Sequence, residues 1–339
     1  MNQNPTKLLH HFFVLLLFVI AVLDLSSCKR HQRYHNGIDK YRIYSSDSVE
    51  IRKILKGETW VAPDTVLIRD NKEGELVKYG RELIMHTGAF LGPNGSVSHK
   101  ANGMNCQNCH LSAGTRLWSN TYSAVKANYP KFRKRSGSVE DLEKRINDCM
   151  LRSMNGSVLD PKSQEMKAMI AYIEWVGKDV EKGEQPVGAY VDPVPWLDRP
   201  ANPLHGKNVF KKHCVTCHGV QGQGMFHPDG ITYQYPPLWG PYSYTTAAGM
   251  YRITKLAGFI KYNMPYLLSS HDHPVLTDEE AWDIAAFINT MPRPHRTFPG
   301  DWPVMAEKPV DHPFGPFADP FSEQQHKYGP FPVMMKNRD

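Results

Sequence analysis

The cysteines of this chain fall largely into two copies of one short pattern, C-x-x-C-H, at residues 106–110 and 214–218. In this pattern two thiols attach a c-type haem covalently, and the histidine binds its iron. A redox disulfide would require a βαβ context, and a zinc site would leave the histidine placement unexplained. The two copies therefore predict two covalently bound haem c groups. The attachment residues are Cys106, Cys109, Cys214 and Cys217, and the proximal iron ligands are His110 and His218.

One cysteine in the body of the chain, Cys149, lies outside both motifs. Arg145 and Ser153 lie one helical turn before and after it, and Arg135 lies just upstream in the basic run 131–135. Cationic groups near a thiol favour the thiolate, which binds iron and attacks electrophiles, and guanidinium groups also hold small oxyanions. We therefore expect Cys149 to be the distal ligand of the first haem or a nucleophile.

Two alternatives remain open for these residues. Cys149 can be a small buried apolar residue, as most lone cysteines are, with another side chain as the distal ligand. The basic run can be a solvated surface whose positive charge offsets the negative charge of the haem propionates. This alternative fits Lys131 and Lys134 better than Arg145, which lies on the inward face of its helix. The competing distal ligands are Met154, Met166, Met169 and His99.

The second haem also needs a sixth ligand, whose identity sets its potential and reactivity. We expect Met264, because the string Asn263-Met264-Pro265 resembles the methionine-proline ligand loop of small cytochromes c. Three other methionines are alternatives, with core packing as their ordinary role. These are Met225, Met250 and Met291.

Apolar residues at helical spacing predict the elements that position the first motif. A helix is expected from about residue 75 to 87, before the breaker Gly-Pro-Asn-Gly. A second is expected over 142–153, after a capping box formed by Ser138 and Asp141. A third is expected over 163–180. The first motif therefore belongs to a helical domain.

The second half repeats this plan. A short helix is expected over 206–212, before the second motif, and a last helix begins at the capping pair Thr277 and Glu280. Five prolines within 183–203 indicate a linker between the halves. The tail, 294–339, is rich in proline but carries too many aromatic residues for a solvated segment, so we expect an ordered irregular wrap.

The N-terminus has the features of an export signal. Lys7 precedes an apolar run over residues 12–23, which is shorter than a bilayer-spanning helix. The string LSSC at residues 25–28 resembles the bacterial lipobox, whose cysteine is lipidated and becomes the new N-terminus. We expect Cys28 to be lipidated and the protein to be held at the periplasmic side of a bacterial membrane. An uncleaved anchor is the alternative.

Composition limits the remaining possibilities. Hydrophobic residues make up 41% and charged residues 22% of the 339 residues, which excludes a disordered chain and a multi-span membrane protein. The net charge is +6, and the sequence contains no long block of like charges, so no nucleic-acid partner is expected. The expected segments are a signal peptide (1–27), a tether (28–73), a first domain (74–182), a linker (183–203), a second domain (204–293) and a C-terminal extension (294–339).

Beyond the two motifs, the sequence resembles the dihaem thiosulfate dehydrogenase (tetrathionate synthase) family from about residue 79 to the tail. The resemblance rests on several longer strings, which together are more specific than two haem motifs. They are GMNCQNCHLSAGT, YPKFRKRSG, EDLEKRINDCMLRSMNG, CVTCHGVQGQG, YPPLWG, AAGM, FIKYNMP, AWDIAAFINTMPRP and KYGPF.

This resemblance implies a mainly α chain with two cytochrome c-like domains joined by the proline-rich linker. It also implies that two thiosulfates are joined to tetrathionate with release of two electrons, or the reverse, with chemistry at the first haem and exit through the second. Cys149 would be the distal thiolate, and Arg135, Arg145 and Ser153 would match the substrate pocket. A cytochrome or a membrane-bound redox protein would be the electron partner.

Two other functions and one departure from the family are relevant here. A lipid-anchored dihaem electron carrier would need neither Cys149 nor arginines directed at the haem, and a dihaem peroxidase would not suit a distal thiolate. Some relatives place lysine beside the distal methionine of the second haem, where this chain has Asn263. We therefore expect steady ligation by Met264.

Overall fold

The computed structural model describes residues 59–336, which form a mainly helical molecule with two short antiparallel hairpins. The predicted fold class, two helical cytochrome c domains, is confirmed. The predicted signal peptide, Cys28 and most of the tether lie outside the described residues. Within residues 59–336, no helix has the length and apolar character needed to cross a bilayer.

The elements divide between the two halves of the chain. The first half contains α1 (Lys72–Met85), α2 (Thr87–Leu91), α3 (Leu111–Gly114), α4 (Val125–Asn128), β1 (Lys131–Arg133), β2 (Ser138–Glu140), α5 (Leu142–Arg152) and α6 (Gln164–Val176). The second half contains α7 (Pro203–His213), α8 (Val215–His218), β3 (Met225–Phe226), β4 (Tyr233–Tyr235), α9 (Ile253–Asn263), α10 (Asp278–Thr290), α11 (Glu323–Tyr328) and α12 (Phe331–Met335). Single 3₁₀ turns cover Thr65–Leu67, Cys106–Asn108, Gly249–Tyr251 and Met305–Glu307.

Helices α1 and α6 pack closely in the first domain because a glycine lies where they cross. A Cβ atom added to Gly80 would lie 1.9 Å from the carbonyl oxygen of Ala168. Side chains of Asn71 and Ser163 cap the N-termini of the two helices. This crossing forms the floor beneath the first haem motif, with Tyr172 of α6 donating a hydrogen bond to a carbonyl just after it.

Helix α5, which carries Cys149, begins at a different cap from the one expected. Its N-cap is Asp141, whose side chain accepts a hydrogen bond from the Lys144 amide. The predicted capping box with Ser138 is wrong, because Ser138 lies in β2 and pairs with Arg133 of β1. A tight hairpin thus leads directly into the helix.

The second domain uses the same packing of its first and last helices. A Cβ atom added to Gly206 of α7 would lie 1.8 Å from the carbonyl oxygen of Asp283 in α10. Helix α10 begins at the predicted capping box of Thr277 and Glu280, in which each side chain bonds to the other residue's backbone amide. Helix α9 packs beside α10 and ends just before Met264.

The chain after α10 returns along both domains. Phe331 and Met334 are buried in the core of the second domain, and Trp302 is buried against the first, where its amide donates to the carbonyl of Arg135. Besides irregular chain, this tail contains α11 and α12. Its packing places parts of the tail directly beside the elements of the first domain that carry the basic run and Cys149.

Candidate functional site

A cavity of about 290 Å³ in the first domain has the first haem motif in its wall. Cys106, Cys109 and His110 all line it. The His110 Nδ1 atom lies 2.6 Å from the carbonyl oxygen of Asn120, so this nitrogen is the donor, since a carbonyl only accepts. Burial lowers the pKa of His110 to about 4, which keeps the ring neutral. Its Nε2 lone pair is therefore available to a metal.

Helix α5 forms the part of the wall that carries the remaining cysteine. Cys149, Arg145 and Ser153 all line the cavity, as their spacing of one turn on one face predicts. Negative charge on Cys149 raises the pKa of Arg145 and outweighs the opposing effect of burial. A thiol and a charged guanidinium thus share one enclosed space.

Strand β1 adds two further cations to this cavity. Lys131 and Arg133 line it, whereas Phe132 between them is 58% exposed, because side chains alternate along a strand. Burial lowers the pKa of Lys131, and the charges of Arg133 and Arg145 lower it further. None of the lining residues in the described chain is acidic. The excess of positive charge suits an anion.

Arg135 lies at the turn of the β1–β2 hairpin and, among the described residues, is not part of the cavity lining. Its guanidinium carbon is 5.6 Å from the centroid of the Trp302 ring. Burial, together with the charge of Arg152, lowers the pKa of Arg135 to about 10. Of the four residues predicted for the substrate pocket, the structure therefore brings three together, which are Arg145, Cys149 and Ser153. It places the fourth, Arg135, against the tail.

The rest of the lining fits a porphyrin, because it is mainly apolar and aromatic. The Tyr122 ring stacks on His110 with the ring centroids 4.7 Å apart. Among the alternative distal ligands, Met154 and Met169 also line the cavity. The linker and the second domain close it with Gln185, Tyr190, Tyr244 and Met250.

The second motif has the same histidine arrangement as the first. The His218 Nδ1 atom lies 2.9 Å from the carbonyl oxygen of Pro236, and burial lowers the pKa of this histidine. Cys214 borders the core of the second domain. Of the candidate methionines, Met225 lies in β3 and is 42% exposed. The others border the same core as Cys214, and these are Met250, Met264 and Met291.

Asn263, beside Met264, joins the second domain to the first. Its side chain is fully buried, and its amide nitrogen donates to the carbonyls of Trp118, at 3.0 Å, and Phe259, at 3.2 Å. Trp118 lies in the same loop as Asn120, the partner of His110. The loop that supports the first haem histidine and the end of α9 are therefore in direct contact.

A small apolar cluster also lies between the two sites. Leu111, which follows the first haem histidine, packs with Val191 of the linker and Phe259 of α9. The partly buried residues around this cluster are Met250, Tyr262 and Met264. Packed side chains thus connect Leu111, the residue after the first motif, with Met264, the candidate ligand of the second haem.

Comparisons with known proteins agree with this arrangement. Residues 96–181 match the family described as SoxA/TsdA, cytochrome c domain, and residues 204–292 match cytochrome c. The thiosulfate dehydrogenase of Psychrobacter arcticus is 36% identical over 242 residues, covering 71% of this chain and 71% of its own length. That of Allochromatium vinosum is 38% identical over 240 residues, covering 68% of this chain and 83% of its own length. This chain belongs to the thiosulfate dehydrogenase family.

A solved member of the thiosulfate dehydrogenase family has the same fold. The thiosulfate dehydrogenase TsdBA of Marichromatium purpuratum is 31% identical, with a TM-score of 0.61 over 78% of this chain and 54% of that protein. The chain therefore spans about half the length of TsdBA. As a family member with two cytochrome c domains, it carries two covalently bound c-type haems, which confirms the cofactor prediction.

Sequence reasoning about this thiosulfate dehydrogenase family member missed two residues of the cavity. Lys131 enters only in the alternative of a solvated basic run, and the sequence does not single out Arg133, yet both line the cavity. The signal was available in the pattern Lys-Phe-Arg, which places two cations on one face of a strand, followed by Gly137 at a hairpin turn.

Proposed function

We propose that this chain oxidises thiosulfate to tetrathionate at the cavity of the first domain. The reaction is 2 S₂O₃²⁻ → S₄O₆²⁻ + 2 e⁻, in which one sulfur–sulfur bond forms between the two sulfane sulfurs. The observation that carries this proposal is the meeting of Cys149, Arg145 and the first haem motif in one buried cavity. The thiosulfate dehydrogenases named above support the choice of substrate.

The residues of each motif would hold the cofactor. Cys106 and Cys109 would attach the first haem, His110 would bind its iron through Nε2, and Cys149 would be the distal ligand. When bound, each c-type haem supplies a one-electron acceptor, so two haems match the two electrons released. Neutral His110 is fixed in the required tautomer by its bond to Asn120.

The cations of the cavity would hold the substrates. Two thiosulfate dianions repel each other, and in a buried site fixed positive charge must offset that repulsion. Arg145 and Arg133 can hold sulfonate oxygens through paired N–H donors, and Lys131 adds a third charge. The Ser153 hydroxyl lies on the same face as Cys149 and adds a neutral donor.

Cys149 would also act as the nucleophile. Its thiolate binds the sulfane sulfur of the first thiosulfate, which forms Cys–S–S–SO₃⁻ and releases two electrons. The sulfane sulfur of the second thiosulfate then attacks the sulfane sulfur of this adduct. That step expels tetrathionate and restores the thiolate, so atoms and charges balance. The positive charge of Arg145, which lines the same cavity, would offset the negative charge of the substrates and of the adduct.

The second domain would deliver the electrons to a partner. Cys214 and Cys217 would attach the second haem, with His218 and Met264 as its axial ligands. The apolar cluster around Leu111 and the bond from Asn263 to Trp118 would keep the two sites in contact. The acceptor would be another cytochrome or a membrane-bound redox protein outside the cytoplasm, close to a lipid anchor at Cys28.

The test is thiosulfate-dependent reduction of an artificial acceptor by the holoprotein. We expect Cys149→Ala to remove at least 99% of the activity, and Arg145→Gln to raise KM and lower kcat. Lys144→Gln is the matched control for Arg145→Gln, because Lys144 is the adjacent cation on the same helix but does not line the cavity. All variants are first checked for full haem content.

Retained turnover in Cys149→Ala would exclude the cysteine adduct. If wild type neither reduces the acceptor with thiosulfate nor reoxidises its reduced haems with tetrathionate, the proposed reaction is wrong. The chain would then be the alternative, a dihaem electron carrier without substrate chemistry.

A further inference from the structure

Residues 294–302, which we call the return segment, follow the second cytochrome domain but contact the first. They lie outside both matched domains, which end at residues 181 and 292. Their partners in the first domain are the C-terminal end of α5 and the turn of the β1–β2 hairpin. These are the two elements that supply Cys149 and the cations of the cavity.

Arg296 caps the C-terminal end of α5 from outside. One guanidinium nitrogen donates to the carbonyls of Leu151, at 3.2 Å, and Gly156, at 2.9 Å, and the other donates to Asn155, at 3.3 Å. The last carbonyls of a helix lack partners within the helix and carry its negative dipole end. Arg296 satisfies one of them, the carbonyl of Leu151, and holds the carbonyls of Asn155 and Gly156 in the chain that follows the helix.

An ion pair of a buried arginine with a partly exposed aspartate holds the last residue of the same helix. Arg152 is 5% exposed and binds Asp301 through two hydrogen bonds of 2.7 Å. The Phe298 ring covers this guanidinium at 3.7 Å from its centroid. The backbone carbonyl of Arg152 accepts a bond from the amide of Thr245 in the second domain. The bidentate geometry restrains both the position and the rotation of α5.

The return segment also holds the hairpin. The amide of Trp302 donates to the carbonyl of Arg135 at 2.6 Å, and its ring lies under the Arg135 guanidinium. Pro303, the next residue, packs so closely that a Cβ atom on Gly137 would lie 2.5 Å from its ring. One short segment thus contacts both the hairpin and the helix.

We propose that the return segment is a clamp that sets the position of the Cys149 thiolate relative to the cations of β1, with Arg296 and Asp301 as positioning residues for the sulfur chemistry. This inference rests on the proposed function of Cys149. A displacement of α5 by a fraction of a turn would move the Cys149 sulfur, together with Arg145, away from a substrate anion that Lys131 and Arg133 of β1 still hold. The clamp therefore acts on kcat more than on KM.

The test compares two variants of the clamp in the holoprotein. Arg296→Lys keeps the positive charge but loses the fork, and Asp301→Asn keeps the shape but loses the ion pair. We expect each to lower kcat about tenfold or more and to raise KM by a smaller factor, because small misplacements of reacting groups cost large factors in rate. We also expect faster hydrogen exchange of the α5 amides and an altered electron paramagnetic resonance signal from the oxidised first haem.

Asp283→Asn is the matched control. Asp283 also binds an arginine, Arg199, through two hydrogen bonds, but it joins the linker to α10 in the second domain. We expect this control to lower Tm and to leave kcat and α5 exchange unchanged. If Arg296→Lys and Asp301→Asn also lower only Tm, the clamp is merely structural and the inference is wrong.

The failure of the clamp and that of the proposed function are distinguishable. If wild type has no thiosulfate activity, the proposed function fails, and the α5 exchange rates together with the first-haem signal still decide the clamp. Unchanged values of both in the two clamp variants would then refute it. Changed values in these variants, with wild-type values in Asp283→Asn, would support it.

Discussion

A buried guanidinium requires a negative partner, and in this cavity that partner is a cysteine. The negative charge of Cys149 makes the largest contribution to the raised pKa of Arg145. Smaller contributions come from Tyr129 and Asp148. Around this pair, Lys131 and Arg133 add positive charge without an acidic residue in the described lining. The described lining therefore combines one thiol outside the haem motif with three basic side chains, Lys131, Arg133 and Arg145.

The first prediction concerns Lys131 and pH. Burial and two neighbouring arginines lower the pKa of this lysine, so it loses its charge at a lower pH than an ordinary lysine does. We expect the KM for thiosulfate to rise as pH increases through the alkaline range. The rise should reach about fivefold or more, since two unit charges in contact attract by about 1 kcal/mol even in water.

Steady-state KM values measured against pH test this prediction. Lys131→Arg should flatten the profile, because an arginine stays charged throughout. Lys131→Met should have a high KM at every pH. A wild-type pH profile in Lys131→Arg would show that another group controls binding.

The second prediction concerns the ligand of the second haem. Asn263 is fully buried and its amide nitrogen is engaged by two carbonyls, so it cannot swing toward a metal. We expect methionine ligation by Met264 in both oxidation states. The charge-transfer band of methionine-bound oxidised haem should persist in Asn263→Ala and disappear in Met264→Ala. A spectrum typical of nitrogen as the distal ligand, in either oxidation state of the wild type, would contradict steady ligation by Met264.

At the scale of elements, each domain rests on one close helix crossing. Gly80 of α1 meets Ala168 of α6, and Gly206 of α7 meets Asp283 of α10, in each case against a backbone carbonyl. A backbone atom cannot move aside as the end of a flexible side chain can. The crossings therefore fix the helices on which each haem motif rests.

The third prediction follows from the first of these crossings. Alanine is favoured over glycine within a helix by about 1 kcal/mol, but forcing an extra methyl into a packed contact costs about 1 to 3 kcal/mol or more. At Gly80 the added Cβ atom would lie 1.9 Å from an oxygen, so steric overlap outweighs propensity. We expect Gly80→Ala to be destabilised by about 2 kcal/mol.

Chemical denaturation of the holoprotein measures this loss. Gly249→Ala is the control, because a Cβ atom there has no neighbour within 4 Å. It should unfold at the wild-type denaturant concentration. Equal midpoints for Gly80→Ala and wild type would mean that the helices separate at little cost.

At the scale of the whole molecule, the two domains are tied together at several points around the first site. Asn102 donates to the carbonyl of Ser243, Asn263 donates to that of Trp118, and the return segment contacts α5. Tyr244 and Met250 of the second domain also line the first cavity. Side chains from the second domain therefore form part of the wall of the first-domain cavity.

The fourth prediction concerns attachment to the membrane. A lipidated Cys28 would carry several acyl chains, and two chains suffice for stable anchoring. We expect the full-length protein to sediment with membranes and to be released only by detergent, whereas Cys28→Ser should be soluble or remain as an unprocessed precursor. Fractionation and the mass of the mature N-terminus measure this. An N-terminal mass without acyl chains in wild type would rule out the lipid anchor.

The sequence alone was sufficient for the features that depend on local spacing. The two C-x-x-C-H strings predicted two haems, and helical periodicity placed Arg145, Cys149 and Ser153 on one face, as the cavity lining has them. The capping box of Thr277 and Glu280 spans only four residues, so the sequence was also sufficient to predict it. Such features are determined by contacts between near neighbours, so no knowledge of the fold is required.

The tertiary structure decided what depends on distant contacts. Lys131 and Arg133 face the cavity because the hairpin pairs β1 with β2. The same pairing holds Ser138 in β2, so the N-cap of α5 is Asp141 instead of the predicted Ser138. Likewise, the bonds of Arg296 to the end of α5 join positions that are remote in sequence. No periodicity links such positions, because the free energy that brings them together comes from packing of the whole chain.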